Sequence, residues 1–251
     1  FIFIFLANLV LYVFFAVVAF TQFNLEIHGY VKHQDAVDLK SKENRKRFTA
    51  MMLVCTMFAI CWIAYIQWET TIASFTQSIN ISMSQYSVLW TINGIMILVA
   101  QPLIRPIIVI LRGNLKHQMF VGILIFMSSF LVTSFAHHFA IFVVGMVILT
   151  FGEMFVWPAV PTIANKLAPE GKQGQYQGFV NSASTVGKAF GPFIGGILVD
   201  AMNMSMMFVG MIVLLCFGLI FLSIFDRGLP KDKNETPIPR RRKRRKSKAS
   251  K

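Results

Sequence analysis

The chain has 251 residues, 55% of them hydrophobic and only 14% charged. Apolar runs of about twenty residues recur along it, which no soluble domain needs, so the composition excludes an ordinary soluble protein and predicts an integral membrane protein with several helices. The formal charge of +13 raises nucleic-acid binding. However, every Lys and Arg except Lys188 lies in alternate links or the tail, so the charge reads as topological and no nucleic-acid partner is expected.

Seven spans are predicted, at about 1–23, 49–76, 85–104, 117–136, 139–164, 175–200 and 204–225. The chain starts at Phe1 already inside an apolar run, without the basic start or cleavage site of a signal peptide, which predicts numbering that begins partway through a longer protein. The link 24–48 mixes charges of both signs and divides the first span from the six that follow. This predicts four regions: a helix at 1–23, a central cytoplasmic loop at 24–48, a six-helix bundle at 49–226 and a basic tail at 227–251.

Orientation follows from the basic residues. Lys40, Lys42, Arg45, Lys46 and Arg47 crowd the link 24–48; Arg105, Arg112 and Lys116 mark the link near 105–116; Lys166 and Lys172 mark 165–175. The links near 77–84, 137–138 and 201–203 carry none. The basic links and the tail are therefore expected in the cytoplasm of a cell in whose plasma membrane the protein is multi-pass. The run Arg240 to Lys251 is read as a solvated tail that touches anionic membrane lipid. Cys55, Cys61 and Cys216 all fall in spans and read as small apolar fillers, with neither a disulfide nor a metal site expected. The sequons at Asn80 and Asn203 sit in very short outer links and read as chance.

Inside the spans, polar residues stand out because a charge at bilayer depth is costly. Trp62, Tyr65, Glu69 and Thr76 are predicted on one face of the second span, and Trp90, Asn93 and Gln101 recur on the third. Glu153 and Trp157 stand one turn apart on the fifth span. On the sixth, Gln177, Asn181, Ser184 and Lys188 form a polar stripe, about 100° around from a stripe of Gly187, Gly191 and Gly195. The glycine face can pack closely against a neighbouring helix, and the polar face can line a wet cavity. Pro158 and Pro161 in the fifth span and Pro192 in the sixth are expected to bend both charged helices. Glu153 and Lys188 are predicted charge partners, although their backbones differ in depth by roughly 10 Å. The bland reading of the two is a structural ion pair, and that of Glu69 is a solvated carboxylate at the mouth.

These residues resemble a known family. Gly152-Glu153, Pro158, Leu167-Ala168-Pro169 and Gly174-Gln175-Tyr176-Gln177-Gly178 are similar to the G-E, P, L-A-P and G-x-Y-x-G run of major facilitator superfamily drug:proton antiporters. Gly187-Lys188-Ala189-Phe190-Gly191-Pro192-Phe193-Ile194-Gly195-Gly196 resembles the G-x-x-x-G-P-x-x-G-G run of their eleventh helix. Gln173 departs from the family's arginine, and the link at Arg105, Arg112, Gly113 and Lys116 lacks the acidic partner of the family's gate motif. The resemblance implies an all-α integral membrane fold, with the last six helices forming the C-terminal bundle of a major facilitator protein and an N-terminal half missing from this chain.

It also implies a secondary transporter that extrudes drugs or small amphipathic molecules by alternating access. The proton gradient would be the energy source and no cofactor would be needed. Glu153, Lys188 and Glu69 would form the charge network, and Trp62, Tyr65, Trp90, Asn93, Gln101, Trp157, Asn181 and Ser184 the substrate cavity. The rival readings are a metabolite uptake transporter of the same fold and a non-transporting receptor or scaffold. An enzyme is not expected, because no nucleophile–base set or metal cluster stands at one depth.

Overall fold

A computed structural model describes residues 2–22, 42–110 and 114–229. The chain separates into two compact units, Phe1–Ala36 and Val37–Lys251. The first unit contains α1 (Ile2–Gln22), an apolar helix of 21 residues. In the second lie α2 (Lys42–Tyr65), a 3-10 turn (Ile66–Trp68), α3 (Thr71–Ser78), α4 (Met83–Ile110), α5 (Leu115–Thr133), α6 (Phe139–Leu167), α7 (Gln173–Ala201) and α8 (Met204–Ile224). The described residues contain no strand. Helices are what a bilayer demands, because each backbone group must find its partner within its own segment.

Five of these stretches are both long and apolar enough to cross a membrane: Glu43–Ser78, Met83–Pro102, Leu115–Thr133, Phe139–Leu167 and Met204–Ile224. The seventh helix is long enough, at 29 residues, but its polar stripe keeps it out of that set. The apolar core of α1 is shorter, Phe5–Thr21.

Two expectations about the elements need correction. The second span is not one helix, because the α-ladder of α2 gives way to the 3-10 turn at Ile66 and restarts as α3 at Thr71. Counting one helical face from Trp62 through Glu69 to Thr76 therefore fails. Thr76 is fully buried and turns its hydroxyl back onto the Ala73 carbonyl at 2.8 Å, while Glu69 is exposed at the break. The helix of the third span runs past its apolar stretch, which ends at Pro102, on to Ile110, so the backbone at Arg105 is helical, with Pro102 and Pro106 inside the helix. Pro158, Pro161 and Pro192 likewise lie inside α6 and α7, which stay helical through them. Neighbouring helices meet carbonyls along these stretches: Gln118 Nε2 donates to the Phe155 carbonyl at 2.9 Å and Gln177 Nε2 to the Pro161 carbonyl at 2.8 Å.

The bundle is organised around α2 and α6. The former packs on α7, α8 and α6, and the latter on α5, α4 and α7, with the α5–α6 contact the most extensive. Gly122 and Gly152 set that spacing, since a Cβ added at Gly152 would stand 3.0 Å from the Gly122 carbonyl oxygen. Trp68, Phe126, Phe130, Phe142 and Phe208 are fully buried. The break after α2 is covered from α4, where the Tyr86 hydroxyl donates to the Trp68 carbonyl, and Thr70 Oγ1 donates to the Ile66 carbonyl at 2.9 Å.

The two outer-link asparagines read as chance sequons have local structural roles. Asn80 takes a left-handed conformation (φ 64°) in the turn between α3 and α4, which asparagine tolerates better than most residues. Asn203 caps α8, accepting from the Met206 amide at 2.9 Å. At the opposite end of the bundle, Lys116 Nζ donates to the Ser223 carbonyl at 2.9 Å and pairs with Asp226 at 2.6 Å, tying the start of α5 to the end of α8.

Candidate functional site

The face of α7 that meets α2 is a ridge of small and flat residues. Tyr176, Val180, Ala183, Gly187, Gly191 and Gly195 are its buried positions. A Cβ at Gly187 would stand 2.6 Å from the Ala59 carbonyl oxygen, and one at Gly191 would stand 3.2 Å from that of Ile63. At Gly195 the space is taken by the Gln67 side chain.

With the ridge placed against α2, the rest of α7 follows from helical geometry. Asn181 and Lys188, about 100° to one side, are exposed, and Ser184 between them is half-buried. About 100° to the other side, Val186, Phe190, Phe193 and Ile197 are exposed and apolar, as a lipid-facing stripe should be. Thus α7 has a packing face, a polar face and an oily face.

Gln67, on the 3-10 turn, is the polar residue most deeply built into this contact and one that the sequence reading passed over. It is fully buried. Its Nε2 donates to the Gly191 carbonyl at 2.7 Å and the Ile63 carbonyl at 2.9 Å, and its Oε1 accepts from the Thr71 hydroxyl at 2.6 Å. Gln67→Leu keeps the volume but removes all three bonds. The variant is expected to lose about 1–3 kcal/mol of stability, measured as a lower Tm of the detergent-purified protein; an unchanged Tm would show the amide to be dispensable.

Beside this contact lies a polar and aromatic cluster built from α2, α4, α6 and α7. Glu153 is 3% exposed. Its Oε1 accepts from Asn93 Nδ2 at 2.7 Å. The Asn93 amide reaches the Thr150 hydroxyl as well, at 3.0 Å. Thr150 stands three residues before Glu153 on the same face of α6, a spacing legible in the sequence that was not used.

Trp157, one turn beyond Glu153, stacks on Trp62 with centroids 4.8 Å apart and planes 16° apart. Tyr65 meets Trp157 edge-on at 5.5 Å and Trp90 at 6.2 Å. Phe58 and Phe126 complete the aromatic wall, at 5.4 Å and 5.5 Å from Trp157.

The predicted pairing of Glu153 with Lys188 does not form. Lys188 Nζ instead lies over the Trp62 ring, 4.0 Å from its centroid. Among the described residues the ion pairs are Arg47–Glu43 and Lys116–Asp226. The ammonium thus joins the cluster through Trp62, and the carboxylate through Asn93. The structure brings Trp62, Tyr65, Trp90, Asn93, Glu153, Trp157 and Lys188 together through these contacts. Ser184 donates to the Asn181 carbonyl on their own helix at 2.7 Å. Gln101 and Glu69 are exposed and take no part in the hydrogen bonds and ring contacts of this cluster.

A helical bundle with apolar outer stripes and a carboxylate buried among polar side chains is the architecture of a multi-pass membrane protein. The comparison with known proteins is specific: residues 48–250 match the Major Facilitator Superfamily, and the chain belongs to that family. The uncharacterized MFS-type transporter YttB of Bacillus subtilis (strain 168) is 45% identical over 228 residues, which is 90% of this chain and 57% of that protein. An uncharacterized MFS-type transporter of Methanocaldococcus jannaschii is 34% identical over 86 residues, covering 34% of this chain and 22% of that protein. The chain therefore spans little more than half the length of the longer-matching relative.

Proposed function

We propose that this chain supplies one six-helix bundle of a proton-coupled efflux transporter for drugs or other small amphipathic molecules. The observation that carries this reading is the Glu153 cluster. A carboxylate placed in the bundle core, held by Asn93 and one helical turn from the Trp157 ring cluster, can exchange a proton when the bundle rocks and its solvation changes. Trp62, Tyr65, Trp90 and Trp157 are the walls assigned to the substrate, with Asn181 and Ser184 on the α7 face beside them. Alternating access comes from rocking against a second bundle of the same protein, in a cell membrane with the basic links and tail on the cytoplasmic side.

The test is flux in proteoliposomes holding the purified full-length transporter. With an acid interior, a fluorescent amphipathic probe should accumulate inside as protons leave, and a protonophore should abolish that accumulation. Accumulation that instead follows protons moving in the same direction would overturn the efflux reading. A protein that moves no probe under any gradient would favour the scaffold.

A further inference from the structure

The cluster that holds Glu153 and Lys188 has an uneven supply of hydrogen-bonding partners. Around Glu153 they are matched: its Oε1 accepts from Asn93, whose amide also donates to Thr150. Around Lys188 two donors stand without an acceptor. Lys188 carries a charge near the middle of α7, is exposed, and makes its contact with the π-face of Trp62. The Trp62 indole Nε1 is buried and has no hydrogen-bond partner. An indole N–H can only donate, and so can an ammonium. A buried donor without a partner is uncommon enough to need an explanation, and an unpaired cation at this depth needs one equally.

Both explanations converge on one ligand chemistry. We infer that the molecule this site takes is a small planar organic anion, whose acceptor group meets Lys188 and the Trp62 N–H while its ring lies along the Trp62–Trp157 wall. The inference rests on the transport reading above and narrows its substrate class. Lys188 is parked on the indole, with its ammonium on the ring face that a cationic ligand would otherwise use for cation–π contact. A cation must displace this ammonium and meet its like charge, whereas an anion draws it off the ring into a charge-assisted hydrogen bond. As the lysine leaves, it uncovers the face of the ring whose N–H lacks a partner. The Glu153 carboxylate is engaged by Asn93 and makes no ion pair with Lys188, so the lysine is left for the anion.

A matched trio tests this: 2-naphthoate, neutral 2-naphthamide and cationic 2-naphthylmethylammonium, with affinities for the purified full-length transporter in nanodiscs read by calorimetry. Naphthoate should bind at least about tenfold more tightly than the ammonium compound. Lys188→Gln should lose that preference, Lys188→Arg should keep naphthoate affinity within about threefold, and Trp62→Phe should weaken naphthoate at least about threefold while leaving the amide less affected. Tighter binding of the cation, or unchanged naphthoate affinity in Lys188→Gln, overturns the inference. If Lys188→Gln does not fold, Lys188→Arg and Trp62→Phe decide alone, and naphthoate affinity unaffected by Trp62→Phe overturns it. Flux separates the two readings. Proton-driven movement of the cation without anion binding sinks the anion inference alone, and anion binding with the predicted variant pattern but no flux of any probe sinks the transport reading alone.

Discussion

Gly191→Leu should strip most of the folded protein from the membrane, while Gly196→Leu, a little over one turn further along α7, should leave it in place. The contrast comes from what each side chain would meet. A Cβ at Gly191 would stand 3.2 Å from the Ile63 carbonyl oxygen and 3.3 Å from the Ile63 Cα, and closer still to an Ile66 methyl; at Gly196 nothing lies within 4 Å. Backbone cannot yield as a flexible side chain can, so Gly191→Leu must push α7 off α2. Overpacking commonly costs 1–3 kcal/mol, and here about 3 kcal/mol or more is expected, enough to consume much of a marginal stability. Ser184→Leu, on the polar face, should preserve folding and reduce transport. Fluorescence-detected size-exclusion profiles of tagged variants give the answer; equal yields of Gly191→Leu and Gly196→Leu would remove the ridge as the basis of the α2–α7 contact.

The second large effect is expected at Glu153. Glu153→Gln should fold and bind substrate, yet lose proton-driven flux by about tenfold or more, since an amide has no proton to exchange at physiological pH. Folding should survive because the Gln carbonyl can still accept from Asn93 Nδ2, as Glu153 Oε1 does at 2.7 Å. Lys188→Met should not rescue it. A structural ion pair predicts the opposite, with both single neutralisations damaging folding and the double variant recovering it. The geometry already separates the two, because Lys188 sits on Trp62 and not on Glu153. Proton-driven flux at the normal rate in Glu153→Gln would remove the proton from this residue.

Some of this was legible in the residues and some was not, for physical reasons. The glycine stripe and the polar stripe of α7 follow from a fixed angle per residue within one unbroken helix. Their relation to each other could therefore be read without a structure, and the buried ridge falls where the spacing put it. The apolar stripe at Val186, Phe190, Phe193 and Ile197 obeys the same rule and went unread, because apolar residues carry no contrast in an apolar run. Across the break at Ile66–Trp68 that rule stops working, and the predicted face through Glu69 and Thr76 was lost.

Partners across helices are another matter. That Asn93 on α4 would reach Glu153 on α6 depends on helix rotation and depth, which spacing within one span does not specify. The Glu153–Lys188 pairing was inferred from scarcity, two lone charges in adjacent spans. It failed because an indole face offered the ammonium a nearer partner.

The mixed character of α7 has a consequence for biogenesis. Its 29 residues carry Gln177, Asn181, Ser184 and Lys188 along one face, and it stands outside the set of helices apolar enough to cross a membrane by composition. As it leaves the ribosome, such a segment partitions poorly into lipid by itself, because a lysine near the centre of a helix costs about 2.5–3.5 kcal/mol on insertion scales. Its two neighbours have no such difficulty: α6 and α8 are both strongly apolar spans, and short links join them to α7. The order of synthesis then matters. The seventh helix must be held against α6, or wait at the interface, until α8 has emerged, and it takes its place once the glycine ridge has docked on α2. The residues that give the bundle its wet face thereby make the insertion of α7 depend on the helix made after it.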